Sequence, residues 1–448
     1  MRVSTKRVNI FTFLIVMAIA IAAQPGAEEA KIYSTISDWI KHHAVPFKNS
    51  NPASDIKDLL PLKNMVGDAQ IAALGEATHG TREFFQMKHR ILKFLVTEME
   101  FNTFAIEASW PESLLVNRFI KNGKGDPKEL LKGLHCRVWF TQEILDMILW
   151  MREYNQTVEN TKKISFYGFD IQAPTLAMKN VIEYLSEVDP PFSKQAESFY
   201  SPFLIYQENW LKYQDAPART KKKCYLNLQK VYLLLKAKQQ LYEKRSKTDA
   251  YRFALHNARV ALQSEAFYAA NNKSAVRNLF MAENVTWLRE HPRPNAKIVL
   301  WAHNDHVGYD APGDPSMAFY LKQQYGKEML SIGFGFYKGT FNAYRYYKKG
   351  VLAERASVFS TSPAAAGSYG GYFQKAELPH FILDMRGLEL KSKTAKWLIG
   401  PRRLRSIGAA YDPKNPLRFY EKVKLPEHFD IFIYFEESTP SGLLSYND

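Results

Sequence analysis

The chain has 448 residues, 46% hydrophobic and 14% aromatic, with 60 Lys and Arg against 45 Asp and Glu and a formal net charge of +15. That apolar share excludes a disordered chain, and only two cysteines, Cys136 and Cys224, exclude a disulfide scaffold. The basic surplus could attract nucleic acid or an anionic membrane, but Lys and Arg are spread along the chain with no nucleic-acid motif, so a solvated basic surface and no nucleic-acid partner are expected.

The N-terminus reads as an export signal. Arg2, Lys6 and Arg7 precede an apolar stretch from Ile10 to Ala23 that closes on small residues before Gln24-Pro25-Gly26. This stretch is shorter than the ~18–20 residues of a spanning helix. Residues 1–23 are therefore expected to be a signal peptide, and the mature protein, 24–448, to be periplasmic or secreted, with no stable membrane span. In an oxidising compartment Cys136 and Cys224 are free to pair, or to remain as buried thiols. Without a CxxC they make no zinc site.

Residues 31–45 show an amphipathic helix with Ile32, Ile36, Trp39 and Ile40 on one face, and Pro46, Pro52 and Pro61 interrupt the chain after it. The apolar run 71–74 predicts a buried strand, followed by Gly75-Glu76-Ala77-Thr78-His79-Gly80. Thr81 is placed to cap the next helix, 83–99, and Glu83 suits its positive end. Strand 101–106 runs into Glu107. A helix opens at Pro111-Glu112, another covers 141–154, and strand 163–169 runs into Asp170. Strand–helix alternation of this kind implies right-handed crossovers and a largely parallel α/β sheet flanked by helices.

Residues 175–291 change character. They are apolar at helical spacing, rich in Lys, Gln, Glu and Ala, and carry no clear strand, so a helical insertion over the cleft at the strand carboxyl ends is expected. Alternation resumes with strands 297–301, 329–334, 380–384 and 429–435. The first of these leads into Ala302-His303-Asn304-Asp305-His306.

Four strands thus end in Glu76/His79, Glu107, Asp170 and His303/His306. Ligands of open α/β sheets bind beyond the carboxyl ends of strands, so these groups are candidates for one polar site. A His oriented by a carboxylate is the usual form of a general base, and His79 with Glu76 has that form. Gly75 and Gly80 allow close backbone approach in the loop between them. No Gly-x-Ser-x-Gly elbow supplies a nucleophile, so water attacks directly or a metal activates it. His303 and His306 could donate to an oxyanion, or bind zinc with His79 and Glu76 or Glu107. His42, His43, His135 and His291 are expected to be surface or structural.

The run from Leu74 to Phe85, with Phe104-Ala105-Ile106-Glu107, Tyr167-Gly168-Phe169-Asp170 and Ala302 to His306, strongly resembles the erythromycin esterase family. Ser331 to Phe334, Phe341 to Ala343 and Phe429 to Ile431 resemble further family segments, so that the resemblance spans about residues 30–440. It implies an α/β core with a helical subdomain over a deep cleft, and hydrolysis of a carboxylic ester, macrolide lactones among the substrates. By resemblance His79 activates water, Glu76 and Glu107 lie beside it, and His303 and His306 form the pair of the second motif. A basic residue of the first helix that is Arg in some members falls at Lys88, here a candidate substrate contact. Lys cannot make the bidentate contact of Arg. The family is generally metal-independent. The expectation is an exported ester hydrolase acting on a small-molecule ester or lactone without a cofactor. The alternatives are a metal-dependent amide or ester hydrolase and a non-catalytic envelope binding protein.

Overall fold

Ile71–Leu74 and Ile298–Trp301 are four-residue runs without polar alternation, and each is buried at every position. Such strands need cover on both sides, the condition of a parallel sheet in an α/β protein. The computed structural model describes residues 27–134, 136–291, 293, 296–309, 314–348, 351–387 and 397–445. The expected export signal and His135 lie outside the described residues.

The strands are β1 (Val45–Pro46), β2 (Ile71–Leu74), β3 (Thr103–Ser109), β4 (Ser165–Asp170), β5 (Ile298–Trp301), β6 (Met329–Lys348), β7 (Val351–Thr361), β8 (His380–Asp384), β9 (Arg402–Arg405), β10 (Ala410–Tyr411), β11 (Tyr420–Val423) and β12 (Ile431–Ser438). The main sheet runs β1-β8-β12-β6-β2-β5-β3-β4. Pairing is parallel from β12 through β6, β2, β5 and β3 to β4, while β8 is antiparallel to β12 and β7 to β6. The expected largely parallel sheet is observed.

Side chains alternate between two cores. Ile71, Ala73, Ile298 and Leu300 join one apolar cluster, and Ala72, Leu74, Val299 and Trp301 the other. The second is covered by α3 (Arg82–Met99) and α6 (Gln142–Thr157), flanking α4 (Trp110–Asn122) and α5 (Pro127–Lys132) in the chain. The first is covered by α1 (Ala27–His43) and by helices within 174–290: α7 (Pro174–Val188), α8 (Pro190–Leu204), α9 (Ala218–Ala237), α10 (Gln239–Arg245), α11 (Thr248–Ala269) and α12 (Lys273–Glu290). Cys224 is buried in α9 and both cysteines are unpaired.

Two expectations need correction. The strand expected at 329–334 continues to Lys348 and turns back as β7, which sequence does not reveal. The outer part of this ribbon is exposed, with Leu352 46% and Val358 58% accessible, so burial imposes no apolar alternation on it. Thr81 stands at the N-cap of α3 but makes no side-chain cap bond, because its hydroxyl pairs with that of Thr78 at 3.3 Å.

Candidate active site

β2, β5, β3 and β4 are adjacent and parallel, so Glu76, His303, Glu107 and Asp170 leave one edge of the sheet side by side. Tight loops hold them there. A Cβ on Gly75 would lie 2.2 Å from Asn304 Oδ1, and one on Gly80 would lie 2.0 Å from the Asn342 carbonyl. The backbone passes where only glycine fits.

Glu76 is sealed from water and bonds in two directions. Its Oε1 lies 2.6 Å from His79 Nδ1, and its Oε2 accepts from Lys88 Nζ at 2.7 Å. With Nδ1 donating to Glu76, Nε2 is the nitrogen His79 can offer to a ligand. His79 lines a cavity of about 640 Å³, whose wall includes Arg137, Phe140, Asn342, Glu354 and Arg355. The Trp139 ring meets the imidazole edge-on at 5.1 Å, and Trp139 Nε1 donates to the Glu107 carbonyl at 2.8 Å.

From sequence, Lys88 is a candidate substrate contact. The structure corrects this: Lys88 is fully buried, its ammonium 4.5 Å over the Trp301 ring and bonded to Glu76 and to the Ala302 carbonyl. Burial pulls its pKa down to about 8, and the neighbouring Glu76 carboxylate only partly opposes that. Lys88 touches Glu76 and cannot reach a substrate.

Geometry separates the two histidines of the second motif. The His303 ring lies 5.1 Å from that of His79. Burial disfavours its charge, but the Asp305 carboxylate, 3.2 Å from Nδ1, raises its pKa to about 9 with help from Glu107 and Glu76. The ring is therefore an imidazolium near neutrality, and the Asp305 N–H, 3.3 Å from Nδ1, can bond only to the neutral form. His303 Nε2 is buried and has no hydrogen-bond partner among the described residues. At His306 both nitrogens are engaged. Nδ1 donates to Asn278 Oδ1 at 2.7 Å, and Nε2 is 3.1 Å from Arg277 Nη1 and 3.2 Å from Glu107 Oε1.

Sequence reasoning missed Arg277. It projects from α12, and its guanidinium grips Asp170 with two bonds, Nε to Oδ1 at 3.1 Å and Nη2 to Oδ2 at 2.7 Å. Nη2 also donates to Glu107 Oε1 at 2.7 Å. Burial alone would raise the Glu107 pKa, but His306 and Arg277 hold the carboxyl well below the usual range. The other Glu107 oxygen accepts from the His303 backbone N–H at 3.0 Å, so this network fixes the start of the second motif. Arg277 and Asn278 carry no motif of their own and look like any polar pair on an amphipathic helix.

The side chains of the alternative zinc set are engaged with other partners. His79 Nδ1 is held by Glu76, His306 by Asn278 and Arg277, and Glu107 by Arg277 and the His303 backbone. Among the described residues no three His, Cys, Asp or Glu side chains are grouped to hold a metal ion. Burial and then the charges of Glu107 and Asp170 push the Cys136 thiol well above the usual range, which disfavours the thiolate a nucleophile needs.

The sequence model of the erythromycin esterase family matches residues 96–438. Erythromycin esterase type II of Escherichia coli is 26% identical over 440 residues, covering 91% of this chain and 99% of that one. A crystal structure of a Bacillus cereus protein superposes with a TM-score of 0.82 at 28% identity, over 92% of this chain and 99% of that one. A mutant erythromycin esterase in its open conformation shares the fold at a TM-score of 0.69 and 18% identity, over 88% of this chain and 98% of its own. With the family's match running through Glu107, Asp170, Arg277, His303 and His306, this chain belongs to the erythromycin esterase family.

Proposed function

We propose that the protein hydrolyses carboxylic esters, lactones included, by direct attack of water that His79 deprotonates. One observation carries this reading: His79, held by buried Glu76 at 2.6 Å between Oε1 and Nδ1, stands at the wall of a cavity of about 640 Å³. That volume is ordinary for a small-molecule site. Family membership supports an ester hydrolase in general.

In this mechanism a water at His79 Nε2 loses its proton to the ring as its oxygen bonds to the ester carbonyl carbon. Buried Glu76 stabilises the imidazolium that results, and the Lys88 ammonium pairs with its other oxygen. Charge develops on the carbonyl oxygen, and the unpartnered Nε2–H of His303 is the donor offered to it. The tetrahedral intermediate then collapses and the C–O bond to the alcohol breaks. The departing alkoxide takes the proton from His79, leaving acid and alcohol. Glu107, Arg277 and His306 position the His303 backbone and do not act on substrate themselves.

The test is mass spectrometry of an ester and macrolide panel after incubation, looking for addition of water. His79→Ala is expected to fold and to lose on the order of 10²–10⁴-fold in rate. Wild-type turnover by a folded His79→Ala protein would falsify the mechanism. No turnover of any ester by the wild type would favour a binding protein. We also place the activity outside the cytoplasm, on the strength of residues 1–23 alone. N-terminal sequencing of exported protein should then begin near Ala23 or Gln24. No helix among the described residues is long and apolar enough to cross a membrane.

A further inference from the structure

The cavity beside His79 is not neutral. Its wall carries two guanidinium groups, Arg137 from the segment before α6 and Arg355 from β7, against one carboxylate, Glu354. Arg137 is fixed to the ribbon by an Nη1 bond to the Glu354 carbonyl at 3.1 Å. Arg355 is exposed and has no hydrogen bond or ion pair among the described residues. The remaining lining is largely apolar and includes Val138, Phe140 and Leu443. A substrate lying along this wall would meet one excess positive charge beside an apolar surface.

We propose that the ester hydrolysed here carries a carboxylate, which pairs with Arg355 and Arg137 while the scissile carbonyl lies at His79. Guanidinium forks match carboxylate geometry. A single excess charge suits a monoanion better than a phosphate dianion, because Glu354 would repel the second negative charge. A cationic ester would be repelled by the two arginines that share the cavity wall with His79. This proposal rests on the ester-hydrolase reading and adds the substrate class. It also gives the β6–β7 ribbon a task, because Glu354 and Arg355 stand on its second strand.

The experiment compares mono-4-nitrophenyl glutarate, an anionic ester, with neutral 4-nitrophenyl butyrate. The wild type should favour the anionic ester in kcat/KM by about tenfold, the scale of one hydrogen bond to a charged group. Molar salt should shrink that ratio. Arg355→Gln should bring it towards one, and Arg355→Lys should restore part of it. Binding of the matching glutaric and butyric anilides, followed by calorimetry, should show the same order. Equal or reversed preference in the wild type, or a preference surviving in the Arg137→Gln/Arg355→Gln double variant, overturns the proposal. Hydrolysis of both esters at equal rates sinks this inference and leaves the hydrolase reading intact. Hydrolysis of neither, together with no turnover across the ester panel, sinks the reading, and the calorimetric comparison still decides the carboxylate preference.

Discussion

Lys88 Nζ and Glu76 Oε2 lie 2.7 Å apart, and both side chains are fully shielded from water. A buried pair is costly to break from one side, on the order of 3–5 kcal/mol, because the remaining charge is left uncompensated. Here the pair stands directly behind the imidazole that is proposed to accept the proton, so stability and activity are tied to the same carboxylate.

A double-mutant cycle separates the two. Lys88→Met should lower stability by about 3–5 kcal/mol in denaturant unfolding, and Glu76→Gln should do similar damage by stranding the ammonium. The Lys88→Met/Glu76→Gln double variant should be more stable than either single one, since no charge remains buried. Its activity should nonetheless stay low, on the order of 10²-fold or more below wild type, because the imidazolium of His79 has lost its partner. Recovery of both properties together would mean that Glu76 serves the fold alone.

Two groups set the alkaline side of the pH profile. Lys88, lowered by burial to about 8, is charged below that pH and neutral above it. His303, raised by Asp305 against its burial to about 9, is likewise charged below its value. The mechanism needs both positive charges, so kcat/KM should fall as pH rises through about 8 to 9. Asp305→Asn removes the main charge that raises His303, so the fall should begin closer to neutrality. Asp305 is about half exposed, which screens the pair and keeps this shift modest. Superimposable wild-type and Asp305→Asn profiles would show that His303 does not titrate in the working range.

Much of this arrangement was legible in the sequence because parallel strands announce themselves. Ile71–Leu74 and Ile298–Trp301 are short apolar runs. The polar residues just beyond them, Glu76 with His79 and His303 with His306, must then sit at one sheet edge. The helical segment from 175 to 291 was equally plain, since apolar residues at helical spacing recur through it. Partnership, by contrast, is invisible in a sequence. Lys88 looks like any helix lysine until packing places Trp301 and Glu76 around it. His303 and His306 look equivalent until Asn278 and Arg277 occupy one and Asp305 the other. The outer part of β7 escaped for the opposite reason, because its exposed residues, Leu352 among them, are under little burial constraint.

Arg277 also bears on the question of metal. Its guanidinium touches Glu107, Asp170 and His306, three groups that would otherwise be natural ligands for a divalent ion. The positive charge their carboxylates need is thus already provided by the chain. Extended treatment with a chelator should accordingly leave turnover unchanged, and elemental analysis should find no stoichiometric zinc. Chelator-sensitive activity that zinc restores would instead establish the metal-dependent alternative. The complementary test removes the guanidinium. Arg277→Gln leaves two buried carboxylates facing each other, which should destabilise by about 3–5 kcal/mol. It should also lower kcat, because Glu107 would no longer be held where it accepts from the His303 N–H. Arg277→Lys keeps the charge but not the two-pronged grip on Asp170, so it should recover part of the stability and less of the rate. Equal recovery of both by Arg277→Lys would show that charge alone matters and that the fork geometry at Asp170 does not position the site.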